Sequence, residues 1–317
     1  MKIVFMGTPD FAAGILKAIH AAGHEVTGVV TQPDKPKGRK KELVPSPVKE
    51  EALAIGCPVL QPARIRAEEA KAAVMALEAD AVVVAAFGQI IPKEILEWPK
   101  YGCLNVHASL LPAYRGASPI QSALLAGVSQ TGVTIMQMDE GLDTGAILTQ
   151  KAVPIDSDET GGSLFDKLAG TGAELLVETL KSLEEGRIEP QPQPAESTTP
   201  YCGILKKEAG RIDWSKDAEA IERQVRAMDP WPSAFTLLDG KTLKIWKAHV
   251  EKAGESGPEE PGRILRQDRK GIYVRCGSGI LCLDELQMEG RKRMPTSEFV
   301  KGYVIRCDRM EGRVSEG

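Results

Sequence analysis

The stretch "KIVFMGTPDFAAGILKAIHAAGHEVTGVVT", residues 2–31, decides the architecture. "KIVFM" (2–6) reads as a strand, residues 10–22 as a helix, and "VTGVVT" (26–31) as a second strand. A strand, a helix and a strand in that order form a βαβ unit, whose helical crossover joins strands that lie parallel. The turn between the first strand and the helix, "GTPDFAAG", lacks the G-x-G-x-x-G spacing that seats a pyrophosphate on a helix end, so a dinucleotide cofactor is disfavoured. "PKGRKKEL" likewise has neither the spacing nor the Lys-Ser/Thr ending of an ATP-binding loop.

Outward from this unit the alternation continues to about residue 150. Ser46 as cap and Pro47 at the first turn announce a helix that stops at Gly56, and another over about 67–78 leads into the buried strand "AVVVAAF" (81–87). A strand ending at His107, a helix near 118–126 and the strand "GVTIMQMD" (132–139) follow. The expected fold class is α/β, with a Rossmann-like, mostly parallel sheet covered on both faces. A longer helix across 160–185 precedes "GRIEPQPQPAESTTPY" (186–201), rich in proline and poor in large apolar residues, which reads as a linker. Beyond it come a helix near 217–228, a hairpin turning at Asp239-Gly240 in "AFTLLDGKTLKIWKAHV", and the short strands "GRILR", "GIYVRCG" and "GILCLDELQ". These predict a smaller β-barrel of OB-like type, with a small sandwich as the alternative. The expected division is a catalytic domain over 1–188, a linker over 189–205 and a C-terminal barrel over 206–317.

Length and composition agree with two soluble domains: 317 residues, 42% hydrophobic and 26% charged. No apolar run is long enough to span a membrane, and the amino-terminal run reads as a strand rather than a signal peptide. The net charge is −4, but residues 206–317 carry 22 basic against 19 acidic groups, where residues 1–205 carry 18 against 25. The basic excess hints at a polyanionic partner. Six cysteines without a C-x-x-C, and without metal-like spacing to the four histidines, predict reduced thiols in a cytoplasm and no metal.

Chemistry concentrates in "GCLNVHASLLPAYRGASPIQSALLAG" (102–127). Residues two apart in a strand share a face, so Asn105 and His107 project together at the strand's carboxyl end, the edge at which open α/β sheets bind ligands. Asp143, in "MDEGLDTGAIL", follows another strand end and is bracketed by Gly141 and Gly145; it serves equally well as a turn former. Together the three suit acyl-type transfer. Asn105 offers amide donors to a developing oxyanion, His107 donates to that oxygen or to a leaving nitrogen, and Asp143 orients His107 or accepts a proton. No serine or cysteine sits in a nucleophile motif, so direct attack by the acceptor is the economical route.

"GTPDFA", "TQPDKPKGRKKELVPSPVK", "NVHASLLPAYRGASPIQ" and "TGVTIMQMDEGLDTGAIL", with "RIDW" and "DPWP" further on, resemble the bacterial methionyl-tRNA formyltransferase family, in order and over essentially the whole chain. Ala108 stands where members often have glycine. The Asn-x-His and the downstream Asp are shared with other formyltransferases that use 10-formyltetrahydrofolate, and so identify the chemistry rather than the acceptor. The resemblance implies formyl transfer from that donor to methionyl initiator tRNA by a protein expected to be a monomer. Asn105 and His107 would stabilise the tetrahedral intermediate, and Asp143 would relay the amine proton through water. Ser109, Leu110, Leu111 and Pro112 match the folate-contacting loop. "AAFGQIIP" (85–92), with Phe87, Gly88, Gln89 and Ile90, resembles the lining of the pterin pocket. "KPKGRKK" (35–41), with five basic residues, resembles the family's loop that enters the acceptor stem: Arg39 matches the position implicated in recognising the unpaired first base pair, while Lys37, Lys40 and Lys41 would meet phosphate. Two alternatives stay open: a folate-dependent formyltransferase for a small amine such as an amino sugar or a ribonucleotide, and a nonenzymatic RNA-binding protein.

Overall fold

The apolar run at the amino terminus becomes the middle of a sheet. In a computed structural model, which describes residues 1–37, 42–251 and 259–312, strand β1 (Lys2–Gly7) lies between β2 (Glu25–Val30) and β6 (Ala81–Ala85), and Ile3, Val4, Phe5 and Met6 have no exposed surface. Helix α1 (Asp10–Ala21) buries Phe11, Ala12, Ile15, Leu16 and Ile19, the one-sided pattern of a helix packed on a sheet. The βαβ reading of residues 2–31 is what the structure contains, with β1 and β2 parallel.

The chain divides into two units. The first holds Met1–Pro119, Gln130–Pro154 and Phe165–Cys202; the second holds Ile120–Ser129, Ile155–Leu164 and everything from Gly203 onward. In the first unit a hairpin, β3 (Lys35–Lys37) with β4 (Glu42–Val44), brackets residues 38–41 in sequence, and Ser46 caps α2 (Pro47–Ala54) by accepting from Lys49 N. Next come β5 (Val59–Leu60), α3 (Glu68–Met75), the short α4 (Lys93–Leu96) and β7 (Cys103–His107). Helix α5 (Pro119–Ala126), which falls almost wholly in the second unit, leads to β8 (Gln130–Gln137) and β9 (Ile147–Pro154). Helix α6 (Gly161–Glu184) completes the set; Phe165 on it meets Phe11 with ring centroids 5.5 Å apart.

The seven-stranded sheet runs β5-β2-β1-β6-β7-β8-β9. Its first five strands are mutually parallel, whereas β8 is antiparallel to both β7 and β9. The sheet is therefore mixed, and β9 is an edge strand that was not predicted: much of "ILTQKAVP" is exposed, so its sequence carries little of the apolar signal of a strand.

In the second unit the 3₁₀ turn Lys207–Gly210 and α7 (Ala218–Ala227) precede β10 (Ala234–Leu238), β11 (Lys241–Val250), β12 (Ile264–Gln267), β13 (Ile272–Arg275), β14 (Ile280–Met288), β15 (Met294–Pro295) and α8 (Thr296–Gly302). The β10–β11 turn falls on Asp239 and Gly240, at φ 50° and 71°, the left-handed pair that matches strand twist in a two-residue hairpin. The antiparallel order is β10-β11-β14-β13-β12. Residues near the carboxyl end bridge its two edges, Glu311 opposite Leu237 and Arg309 opposite Arg263, and so close the sheet toward a barrel. Trp214 of "RIDW" is buried and donates from Nε1 to Thr236 Oγ1 at 3.0 Å. Among the described residues no helix is long and apolar enough to cross a membrane.

Candidate active site

β7 pairs with β6 on one side up to Asn105 and with β8 on the other through His107, so its carboxyl end runs past the paired part of β6. Asn105 is half-buried, and its amide has no hydrogen-bond partner among the described residues, while His107 is buried. The carbonyl of Tyr114 lies 3.1 Å from His107 Nε2; a carbonyl can only accept, so this nitrogen carries hydrogen in the contact. Nδ1 faces Asp143 Oδ2 at 3.7 Å, too long for a direct hydrogen bond. The structure thus brings Asp143 to His107 from 36 residues away in sequence. Asp139, by contrast, binds its own turn, accepting from Gly141 N at 2.9 Å and Thr144 Oγ1 at 2.8 Å.

Asp143 adopts φ 55°, in the left-handed region that costs most non-glycine residues free energy. Two contacts hold it there. Gly116 N donates to Oδ2 at 2.8 Å, and the Asp143 carbonyl accepts from Gln193 Nε2 at 3.0 Å. Gly116 itself has φ 115°, and a Cβ there would stand 2.4 Å from the Cys202 carbonyl oxygen, so only glycine fits. Oδ1 of Asp143 has no hydrogen-bond partner among the described residues.

The loop after β7 is rigid for reasons visible in its bonds. Thr134 Oγ1 on β8 donates to Ser109 O at 2.7 Å and accepts from Leu111 N at 3.1 Å; Gln150 on β9 donates to Leu111 O at 2.9 Å. Ser109 is fully buried and donates to Ala113 O at 2.6 Å, and Leu111 is buried too. Of the four loop residues proposed to meet folate, two therefore spend their side chains on the protein. The 87–90 segment divides similarly. The Phe87 ring is core, and its carbonyl accepts from Thr8 Oγ1 at 3.3 Å and Gln32 Nε2 at 3.1 Å. Gln89 is tied to the 62–65 turn through Ile65 N and Pro62 O. Gly88, at φ 82°, and Ile90, which is 70% exposed, are the members open to a ligand. Arg39, Lys40 and Lys41 lie outside the described residues, as does the side chain of Lys37.

Burial pushes the thiol of Cys103, two residues before Asn105, up to about 12, so it stays protonated at neutral pH and is no nucleophile. Cys103→Ala is expected to leave turnover within about twofold of wild type in an initial-rate assay, since no thiolate chemistry is lost. A loss of activity beyond that, with the fold unchanged by circular dichroism, would require a covalent role for the thiol.

Sequence reasoning missed Arg115 and the segment that covers it. Arg115 is 1% exposed and has no carboxylate partner among the described residues. Its fork donates to Gln193 Oε1 from Nε and Nη2, to Pro194 O at 2.8 Å and to Ala195 O at 3.1 Å. The segment read as a linker over 189–205 is thus hydrogen-bonded along the first unit, up to Cys202. The structure also brings together His249, Cys282 and Asp284, whose ligand atoms lie within 4.8 Å of one another although no sequence spacing pairs them. They are cross-strand neighbours on β11 and β14. His249 Nδ1 already pairs with Asp284 Oδ2 at 2.9 Å, and burial lifts the Cys282 thiol to about 11, which disfavours the thiolate a metal would need.

Residues 1–180 match the formyl transferase family and residues 204–304 the formyl transferase C-terminal domain. The methionyl-tRNA formyltransferase of Lachnospira eligens is 52% identical over 315 residues, covering 98% of this chain and 100% of that one. That of Geobacter sulfurreducens is 50% identical over 305 residues, covering 96% and 95%. Among solved structures, HypX from Aquifex aeolicus in complex with tetrahydrofolic acid superposes with TM-score 0.63 at 20% identity, covering 99% of this chain and 51% of that one. The N-formyltransferase from Helicobacter canadensis, in complex with folinic acid and dTDP-3-aminofucose, gives 0.65 at 18%, covering 89% and 99%. At such identities the likeness to these structures is one of fold. With both of its domains matched, and with relatives at these identities over nearly its whole length, the chain belongs to the methionyl-tRNA formyltransferases of the formyl transferase family.

Proposed function

We propose that the chain transfers the formyl group of 10-formyltetrahydrofolate to the α-amino group of methionine on initiator tRNA, supplying formylmethionyl-tRNA for translation initiation in the cytoplasm. The observation that carries this reading is the meeting of Asn105, His107 and Asp143 at the carboxyl end of β7, with His107 Nδ1 3.7 Å from Asp143 Oδ2. In this reading the neutral amine attacks the formyl carbon. The oxygen of the tetrahedral intermediate takes up the free amide of Asn105 and the Nε2–H that otherwise rests on the Tyr114 carbonyl. Asp143, whose Oδ1 is open, receives the amine proton through water and returns it to the leaving folate nitrogen. The exposed edge formed by Gly88 and Ile90, together with Leu110 and Pro112, would hold the folate, against walls that Phe87, Gln89, Ser109 and Leu111 keep rigid.

Charge points to the acceptor. β3 carries the start of the basic run and brackets the rest, residues 38–41, with β4, and the approach to β3 is tied down by Asp34, which accepts from Lys49 Nζ and Gln61 Nε2, both at 2.7 Å. In the domain over 206–317, proposed to bind tRNA, Arg293 and Lys244 stand 4.8 and 5.4 Å from the Trp246 ring, and Arg266 stands 3.7 Å from that of Tyr273. Basic side chains interleaved with aromatic rings suit phosphate and base contacts. The direct test is incubation with 10-formyltetrahydrofolate and charged initiator tRNA, alongside amino sugars and ribonucleotides as acceptors; formylation of a small amine in preference to methionyl-tRNA would overturn the reading.

Arg39→Ala is expected to reduce formylation of initiator tRNA far more than binding of bulk tRNA, because a guanidinium fork can read base edges that only an unpaired stem end presents. Lys40→Ala or Lys41→Ala should instead weaken initiator and elongator tRNAs alike and flatten the salt dependence by about one unit of slope. Equal losses by Arg39→Ala on initiator tRNA and on a variant with a paired first position would make Arg39 one more phosphate contact.

A further inference from the structure

We infer that Gln193, gripped by the buried fork of Arg115, is a positioning residue for Asp143, so that the segment over 191–202 of the first unit is a working part of the active site. The inference rests on the catalytic reading of Asp143 given above. It starts from an oddity: Arg115 is an arginine at 1% exposure whose described partners are a side-chain amide and two backbone carbonyls. A buried cation without a counter-ion is costly to maintain. Four of its five donors converge on three consecutive residues, 193–195, although Pro194 and Ala195 are themselves exposed. The chain covers the guanidinium, and the guanidinium holds the chain.

What is held is the amide of Gln193, with one orientation. Its Oε1 accepts twice from Arg115, so its Nε2 must point the other way, where it donates to Asp143 O at 3.0 Å and Gly145 O at 2.6 Å. Turned over, the amide would set NH₂ against guanidinium and oxygen against two carbonyls. The arginine thus fixes the amide, and the amide fixes the two carbonyls flanking the strained turn at Asp143. The strap is anchored at both ends. Gln191 exchanges two backbone bonds with Ile147, each 2.8 Å, and Cys202 N donates to Arg115 O at 2.8 Å while Ala117 N donates to Cys202 O at 2.7 Å. Between these ends Ser197 Oγ donates to Pro112 O at 2.7 Å, and Thr199 Oγ1 accepts from Tyr114 N at 2.7 Å. Tyr114 is the residue whose carbonyl meets His107, and Gly116, flanked by Arg115 and Ala117, is the donor to Asp143 Oδ2.

The test uses the full chain and a thermodynamic cycle. Gln193→Glu keeps an acceptor for Arg115 but turns an oxygen toward the Asp143 and Gly145 carbonyls. It is expected to lower kcat by about five- to a hundredfold, the cost of leaving such groups unsatisfied, with KM for tRNA and folate little changed. Arg115→Lys, which keeps the charge and loses the fork, should act in the same direction. Thr198→Ala, on an exposed strap residue with no side-chain hydrogen bond among the described residues, is expected to match wild type. Melting temperatures correct each rate for folded fraction. In an Asp143→Asn background Gln193→Glu should add little further loss, because its effect passes through Asp143. Fully additive losses, or a wild-type kcat in Gln193→Glu, would overturn the positioning role. Near-wild-type turnover of Asp143→Asn alone would overturn the catalytic reading of Asp143 itself, and the inference with it.

Discussion

Asn105→Ala and His107→Ala should each lower kcat for formylation by about a hundred- to a thousandfold, the usual loss when one preorganised donor to an oxyanion is removed. The two variants differ in their effect on folding, which separates chemistry from structure. Asn105 is half-buried and its amide is unpartnered among the described residues, so truncation removes no protein hydrogen bond. His107 is buried and bonded to Tyr114 O at 3.1 Å; alanine there leaves that carbonyl unpaired, at a cost of about 1–3 kcal/mol in stability. The expected pattern is therefore a comparable collapse of kcat in both, with a lowered melting temperature in His107→Ala only. KM should move little, because in the proposed mechanism the lost groups act on the intermediate rather than on bound substrate. Initial rates at saturating tRNA, paired with thermal melts, give both readouts. Turnover of either variant within about threefold of wild type would remove it from the oxyanion site.

Asp143→Asn carries the other large effect, a fall in kcat of about a hundred- to ten-thousandfold, the range over which a positioned acid or base contributes. The substitution is chosen for what it preserves. Asparagine tolerates the left-handed backbone at φ 55°, and its carbonyl oxygen still accepts from Gly116 N, so the turn keeps its shape. Only the ability to take up the amine proton is lost. Asp143→Ala would confound the two, since alanine resists that backbone and abandons the Gly116 anchor. Single-turnover formylation with preloaded folate isolates the chemical step. A rate unaffected by Asp143→Asn would leave proton removal to solvent.

The pairing of Asn105 with His107 was legible because it is local: two residues in one strand share a face whatever surrounds them. The same holds for the 2–31 unit, for the Ser46 cap and for the Asp239-Gly240 turn, each written in a few adjacent residues. The direction of β8 was not legible, because it depends on where the chain re-enters the sheet after α5 rather than on its own apolar pattern. The edge strand β9 was hidden by its polar, half-exposed face.

The 186–201 segment shows the difference most clearly. Its proline and low apolar content read as a linker, since sequence patterns report burial of apolar side chains and this segment buries few. It is held by hydrogen bonds that have no period: Gln193 to Asp143 across 50 residues, Gln193 to Arg115 across 78, Ser197 to Pro112 across 85. The sequence by itself determined the βαβ core and the strand end that carries Asn105 and His107. Only the tertiary structure decided that Asp143 meets His107, which side chains of the loops proposed to meet folate are bound to the protein, and that a polar strap with a buried arginine lies beside Asp143. Apolar periodicity is a property of neighbours along the chain, whereas polar partners are chosen by proximity after folding.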